Sequence, residues 1–140
     1  MTIGTMIQGQ QVVHVAPDTP VSAVVALLAE RRIGAVPVMT DGQVAGIFSE
    51  RDLVHGLTRE GAALLVRPVG EVMTAPAITV TPDVQVLAAL ALMTVRRIRH
   101  LPVLHGGELV GFVSIGDLVK RRIDGIEAEA GALRDYIQGA

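Results

Sequence analysis

The segment Gly46-Ile47-Phe48-Ser49-Glu50-Arg51-Asp52-Leu53 decides the fold, because it recurs as Gly111-Phe112-Val113-Ser114-Ile115-Gly116-Asp117-Leu118. The offset is about 65 residues, and the same offset carries Pro37-Val38 onto Pro102-Val103 without a gap. A constant offset of this kind is the signature of an internal repeat. The chain therefore contains two copies of one structural unit.

Each copy has the pattern of a β-α-β-β-α unit. A short apolar run at residues 12–15 predicts a strand, and Thr19-Pro20 predicts a helix start with Thr19 as the cap. Apolar runs on both sides of Asp41-Gly42, and of Gly106-Gly107 in the second copy, predict β-hairpins. Ser49, like its counterpart Ser114, then opens another helix. One unit cannot bury its sheet face alone, so we predict an α+β fold whose two sheets pack together with the helices outside.

Apolar spacing predicts which helix faces are buried. In the first copy, helical spacing selects Val21, Val24, Val25, Leu28 and Arg32-Ile33, and Gly34 is expected to break the helix. In the second copy, the same reasoning selects Val84, Leu87, Ala88, Ala91 and Val95.

The predicted organisation is a first unit at residues 7–66, a linker at 67–72, a second unit at 73–128 and a helical extension at 129–140. Residues 56–72 contain Gly61, Pro68 and Gly70, which favour a linker. Beyond the repeat, an apolar seam steps by four and three residues, as in a heptad: Val119, Ile123, Ile126, Ala130, Leu133 and Ile137. This helix either closes its own module or contacts a second copy.

Composition excludes several classes of function. The 140 residues are 50% apolar, 19% charged and carry a formal net charge of −2, which is too low for non-specific nucleic-acid binding. Cysteine is absent, and the histidines (His14, His55, His100 and His105) lack metal-ligand spacing. No signal peptide, membrane span or activated nucleophile is recognisable. We therefore expect a cytoplasmic protein that binds neither nucleic acid nor membrane and is not an enzyme.

The recurring Ser-x-x-Asp motif has two interpretations. Ser49 with Asp52, and Ser114 with Asp117, have the spacing of a capping box at a helix N-terminus. In the same place, a carboxylate can accept two hydrogen bonds from a ribose diol, and nearby amides suit a phosphate. Under this interpretation Gly46 and its counterpart in the second copy leave room for a ligand beside the strand.

Arginine supplies a second indication. Of the twelve basic residues, Lys120 is the one lysine, and arginines cluster before the second strand of each unit. Guanidinium groups suit phosphate recognition, but arginines near helix ends also satisfy free carbonyls. For Arg51 and Arg99 we favour the phosphate interpretation, and His100 lies beside the same predicted cleft.

Together these motifs resemble a pair of CBS domains (cystathionine-β-synthase domains), over residues from about 7 to 126. The resemblance implies a pseudo-two-fold pair of repeats, called a Bateman module, with two clefts between the repeats and a disc-like homodimer. It implies binding of AMP, ADP, ATP, NAD or S-adenosylmethionine through Asp52 and Asp117, assisted by Ser49 and Ser114. The residues that would line the adenine slots are Gly34, Ala35, Val36 and Pro37 in one copy, and Arg99, His100, Leu101 and Pro102 in the other.

The two clefts are expected to differ. Glu50-Arg51 separates the serine from the aspartate in the first copy, whereas Ile115-Gly116 does so in the second. We expect the ligand in the cleft of Ser114 and Asp117, with Arg51 or Arg99 near its phosphates. The predicted function is a regulatory adenine-nucleotide sensor that changes conformation or dimer geometry for an effector protein. The alternative is a ligand-independent dimerisation or protein-interaction module.

Overall fold

The computed structural model describes residues 1–139. Its two copies each contain an antiparallel hairpin and flanking helices, which confirms the predicted α+β class. In chain order the elements are α1 (Ile3–Met6), α2 (Val21–Arg31), β1 (Ala35–Thr40), β2 (Gln43–Ser49), α3 (Glu50–Glu60), α4 (Val86–Arg96), β3 (His100–His105), β4 (Glu108–Ser114) and α5 (Ile115–Gly139).

The hairpins confirm the turn prediction. β1 pairs with β2, and β3 pairs with β4 in an equivalent register. Asp41 and Gly42 have φ angles of 51° and 76°, and Gly106 and Gly107 have 59° and 84°. Positive φ at both central residues is what a two-residue hairpin turn requires. The predicted leading strand is reduced to one parallel bridge per copy, which joins Val15 to Val38 in the first.

The ends of α2 and α4 differ from the prediction. Thr19 is not the cap: Pro20 holds the N-cap position without a side-chain hydrogen bond, and the helix begins at Val21. The helix also ends before Gly34, at Arg32, which adopts a left-handed φ of 54°. Arg97 closes α4 in the same way, with a φ of 55°.

The predicted apolar face of α4 is wrong. The residues that face the core are Val86, Ala89 and Met93, whereas Leu87 and Val95 are 55% and 78% exposed. The helix is apolar around most of its circumference, so its periodicity does not define a unique buried face. The structure therefore leaves an apolar surface on the outside of α4.

The leading segment of each copy completes the core of the other copy. Ile3 and Ile7 pack in the core of the second copy, where the Ile3 N–H donates to the Val84 carbonyl at 2.8 Å. Leu64 and Val69, which precede the second copy, are fully buried in the core of the first. This exchange binds the two repeats to each other and was not foreseen from the sequence.

The segment expected to be a linker is folded. After α3, two 3₁₀ helices cover Gly61–Val66 and Val69–Glu71. Between them, the Arg67 guanidinium makes ion pairs with Glu60 at 2.8 Å and Glu71 at 3.2 Å. These contacts hold the connection against the first copy.

The final helix of the second copy and the predicted extension form one continuous helix, α5. It passes through Gly125 and Gly131, whose absent side chains would meet nothing within 4 Å. Leu118 anchors the start of α5 in the second core, and the later apolar residues are exposed. Ala140, at the end of the predicted extension, lies outside the described residues.

Candidate functional site

The first turn of α3 forms a capping box around Ser49 and Asp52. Asp52 Oδ2 accepts hydrogen bonds from the Ser49 N–H at 2.9 Å and from the Ser49 hydroxyl at 3.1 Å. The Asp52 N–H donates back to Ser49 Oγ at 3.3 Å. The structure thus satisfies the capping interpretation and also fixes the direction of the carboxylate.

Thr74 makes the third contact to this carboxylate. Its hydroxyl donates to Asp52 Oδ1 at 2.7 Å. Backbone hydrogen bonds of 2.9 Å join Thr74 to Ile47 in both directions and hold the threonine beside β2. A carboxylate has about four acceptor sites, so Asp52 keeps one of them free.

Asp52 lies in a cavity of about 450 Å³ between the two repeats. This volume is within the range of small-molecule sites. The first copy contributes the start of α3, and the second copy contributes the entry into β3. The lining residues are Gly34, Ile47, Ser49, Glu50, Arg51, Asp52, Val54, His55, Thr74, Ile98, Arg99 and His100.

Two arginines bring positive charge to the cavity. Arg51 donates from Nη1 to the Arg97 carbonyl at 3.2 Å, so its side chain connects the first copy to the end of α4. Arg99 lines the same cavity from the second copy. Asp52 and Glu50 supply the opposite charge, so the cavity presents both a carboxylate acceptor and guanidinium donors.

His100 forms part of the wall between the repeats. Its ring stacks on Phe112, with centroids 5.5 Å apart and an interplanar angle of 11°. Burial lowers the pKa of His100, the carboxylates of Asp117 and Glu50 oppose that shift, and Arg99 adds to it. The imidazole is thus favoured in its neutral form.

Asp117 lies in a different groove. The groove has a volume of about 610 Å³, separates the N-terminal segment from α5 and is lined by Asp117 and Phe112 among others. The Asp117 capping box is intact, with Asp117 Oδ2 accepting the Ser114 N–H at 3.0 Å. Gly9 is the repeat counterpart of Thr74, the residue beside Asp52. Asp117 therefore has no hydroxyl donor at the equivalent position.

The predicted site residues therefore divide into three groups. Arg51 and Arg99, which we associated with Asp117, line the cavity of Asp52 instead. Ile115 and Gly116 stay at the start of α5, outside both sets of lining residues. Of the residues before and at the two prolines, five are buried in the cores: Ala35, Val36, Pro37, Leu101 and Pro102. The other three, Gly34, Arg99 and His100, line the Asp52 cavity.

The prediction that Gly46 and Gly111 make room for a ligand is wrong. A Cβ atom at Gly46 would lie 2.6 Å from the Thr74 carbonyl oxygen, and one at Gly111 would lie 2.7 Å from the Ile7 side chain. The glycines are needed because the exchanged leading segments pass directly over the strands. Their role is the contact between the copies.

Sequence reasoning missed Thr74 and His55, which line the cavity. Thr74 could not be found from the repeat because its counterpart is glycine. Gln10 was missed as well: its side-chain amide donates to the Phe112 carbonyl at 2.9 Å and accepts the Phe112 N–H at 3.0 Å. At β4 of the second copy, the Gln10 side chain therefore takes the place of the backbone hydrogen bonds that Thr74 makes with Ile47 at β2 of the first copy.

No helix within residues 1–139 is long and apolar enough to cross a bilayer. The same residues contain no group of three acidic or histidine side chains arranged for a metal ion.

The chain matches one protein family and several known proteins, and it spans less than two thirds of the first curated relative. The CBS domain family matches residues 6–59 and 69–124. The mitochondrial CBS domain-containing protein CBSX3 of Arabidopsis thaliana is 38% identical over 127 residues, which are 87% of this chain and 62% of CBSX3. YhcV of Bacillus subtilis is 32% identical over 108 residues, covering 77% of this chain and 76% of YhcV.

Solved structures show the same fold. A protein with CBS domains from Burkholderia ambifaria superposes with a TM-score of 0.83 at 36% identity, over 89% of this chain and 95% of that one. CBSX2, solved in complex with AMP, superposes with a TM-score of 0.73 at 27% identity, over 88% of this chain and 96% of CBSX2. The CBS domain pair of MJ0100, solved with 5-methylthioadenosine and S-adenosyl-L-methionine, superposes with a TM-score of 0.78 at 20% identity, over 89% of this chain and 97% of that one. At this identity the similarity supports the fold alone.

Proposed function

The chain belongs to the CBS-domain family, and from this we propose that it is a regulatory module that binds an adenosine-containing ligand in the Asp52 cavity. The observation that carries the proposal is the meeting, in one cavity between the repeats, of a fixed carboxylate and two arginines. The solved complex of CBSX2 with AMP supports the ligand class. Within that class the candidates are AMP, ADP, ATP, NAD and S-adenosylmethionine.

Asp52 would hold the ribose. A vicinal diol donates two hydrogen bonds, and the carboxylate has one free acceptor site besides those used by Ser49 and Thr74. The diol therefore takes the free site and displaces one of the two protein hydroxyls. Because the capping box holds the Asp52 backbone and side chain, little further ordering is needed on binding.

Arg51 and Arg99 would neutralise phosphate groups. Guanidinium groups donate in pairs to phosphate oxygens, and both arginines reach the cavity from opposite copies. The Arg51 side chain already spans the copies through the Arg97 carbonyl. A phosphate that draws Arg51 away would break this connection, which gives ligand binding a means to alter how the repeats meet.

The binding experiment uses the whole chain. Calorimetric titration and thermal unfolding with each of the five candidate ligands should give saturable binding for at least one, with a raised Tm. Mass spectrometry of small molecules released by heating the purified protein would identify a ligand carried from the cell. If none of the five binds and no adenosine-containing molecule is released, the proposal is wrong.

The alternative function is a ligand-independent interaction module. The exposed apolar residues of α5 favour it, and we propose that they contribute to a homodimer. Deletion of residues 131–140 separates the two functions. A nucleotide sensor keeps its titration after the deletion, whereas an interaction module loses dimerisation or partner binding and never shows a nucleotide titration.

A further inference from the structure

The C-terminal helix carries an apolar seam that its own module leaves uncovered. Within Ile115–Gly139 the one fully buried side chain is Leu118, whereas Leu133 and Ile137 are 61% and 65% exposed. Seams of this spacing pair helices into coiled coils. We call the following residues the α5 seam: Val119, Ile123, Ile126, Ala130, Leu133 and Ile137.

Charged residues flank the α5 seam in two blocks of opposite sign. Lys120 and Arg122 border its first part, and Glu127 and Glu129 border the part that follows. By heptad position, Lys120 and Glu127 share one flank, whereas Arg122 and Glu129 share the other. We propose that α5 pairs antiparallel with α5 of a second copy, so that each basic block faces an acidic block.

The charges also define the register. An axis at the midpoint between positions 124 and 125 brings Lys120 to the partner's Glu127 on one flank and Arg122 to the partner's Glu129 on the other, each pair offset by about 3 Å along the axis. Two-fold symmetry repeats both pairs, and symmetric homodimers are the commonest oligomers. Opposite charges that flank a seam select the orientation and register of paired helices.

The same register fills the apolar layers around the axis. Val119 faces the partner's Ala130, and Ile123 faces the partner's Ile126. Each layer therefore joins two seam residues and removes apolar surface from water, at about 25 cal/mol per Å². This antiparallel alignment therefore satisfies the charges and the apolar layers together.

The direction of the pair follows from the apolar surface beside α5. A parallel pair would also join Arg122 to the partner's Glu127, and Glu129 to the partner's Arg134, so charge alone does not decide. The Ile115 N–H donates to the Arg99 carbonyl at 2.8 Å, which places the exposed Val95 end of α4 near the start of α5. In an antiparallel pair the partner's Leu133 lies level with position 116 and its Ile137 passes the start of α5 toward the same surface, whereas a parallel pair carries Leu133 and Ile137 away from both modules.

This inference rests on the proposed homodimer and is independent of nucleotide binding. The chain has no cysteine, so introduced thiols are unique. Chains with Val119→Cys and chains with Ala130→Cys, differently tagged, are mixed and treated with a short thiol-specific cross-linker. The register predicts efficient cross-linking between the two kinds of chain and little within either kind, because like positions lie about 16 Å apart along the axis.

A charge reversal tests the flanks of the α5 seam. Lys120→Glu should raise the dimer dissociation constant about tenfold, because symmetry creates two like-charge contacts with Glu127. Adding Glu127→Lys should restore dimerisation. Arg121→Glu is the matched control, since its heptad position lies opposite the α5 seam, beside the Asp117 groove, and its reversal should leave the dissociation constant within about twofold. Sedimentation velocity measures all four chains.

The possible results separate cleanly. Cross-linking of the mixed chains with rescue by Glu127→Lys supports the antiparallel pair. Cross-linking of Val119→Cys to itself, an unchanged dimer in Lys120→Glu, or a monomeric wild-type chain would each overturn it. Nucleotide titration of Lys120→Glu shows separately whether the proposed ligand site functions, because Lys120 is not in the Asp52 cavity.

Discussion

The Thr74 hydroxyl donates a 2.7 Å hydrogen bond to Asp52 Oδ1, and this bond ties the segment entering the second copy to α3 of the first copy. The bond depends on the exchange of leading segments, since Thr74 lies over β2 only because its segment packs against the first copy. The candidate ligand site and the contact between the repeats therefore share one carboxylate.

Replacing Thr74 with valine keeps the shape of the side chain and removes the donor. We expect Thr74→Val to lower the free energy of unfolding by about 1.5 kcal/mol or more, since hydrogen bonds to charged groups contribute more than neutral ones. Urea unfolding measures the change. Thr58→Val is the control, because the Thr58 hydroxyl donates only to a carbonyl one turn earlier in α3. Equal losses in the two variants would contradict a special role for Thr74.

Glycine substitutions distinguish close contact from helix propensity. Gly46→Ala should destabilise the protein by about 2 kcal/mol or more, because the new Cβ meets the Thr74 carbonyl oxygen at 2.6 Å. Gly125→Ala meets nothing within 4 Å and should stabilise the helix by up to about 1 kcal/mol. Thermal unfolding of both variants tests the pair, and a neutral Gly46→Ala would mean that the leading segment does not lie on β2.

His100 should make stability depend on pH. Its pKa is lower in the folded protein than its ordinary value of about 6.5, chiefly through burial. The unfolded chain therefore binds a proton at higher pH than the folded one. Stability should fall as the pH drops below about 6.5 and the loss should be complete below the folded pKa. His100→Asn should flatten this dependence, and an unchanged profile in urea unfolding across that range would contradict the assignment.

Arg51 should act on the phosphate and not on the nucleoside. Arg51→Gln removes a guanidinium from the cavity and should weaken AMP binding about tenfold, while adenosine binding changes little. Calorimetric titrations with both ligands test the split. Arg59→Gln, on α3 but outside the cavity lining, is the matched control. Parallel losses for AMP and adenosine would show that Arg51 supports the fold of the cavity instead.

Short sequence motifs predicted the starts of α3 and α5 and the hairpin turns of both repeats correctly. The repeated Ser-x-x-Asp motif predicted the capping boxes at Ser49 and Ser114, and Asp41-Gly42 predicted the first hairpin, because each depends on a few neighbouring residues. The exposed face of α4 was not predictable, since its apolar residues surround the helix and only tertiary packing selects among them.

The contact between the copies required the structure. The exchange of leading segments joins residues far apart in sequence, such as Ile3 and Val84, and no local pattern encodes it. That exchange explains Gly46, and it makes the two carboxylates unequal by placing Thr74 at one and Gly9 at the other. The preference for Asp117 relied on the residues between serine and aspartate, whereas part of the surroundings of each carboxylate comes from the opposite copy.

The most direct measurement compares two equivalent carboxylates within one chain. Asp52→Asn and Asp117→Asn each alter one capping box, and Asp52→Asn also weakens the contact with the Thr74 hydroxyl, so thermal unfolding of each variant accompanies the titration. We predict that Asp52→Asn raises the Kd for the adenosine ligand that binds wild type most tightly by about ten- to one-hundred-fold, the loss expected for a charged acceptor. Asp117→Asn should change the Kd by less than about threefold. If both variants bind as wild type does, or if only Asp117→Asn loses binding, the assignment of the ligand to the Asp52 cavity is contradicted.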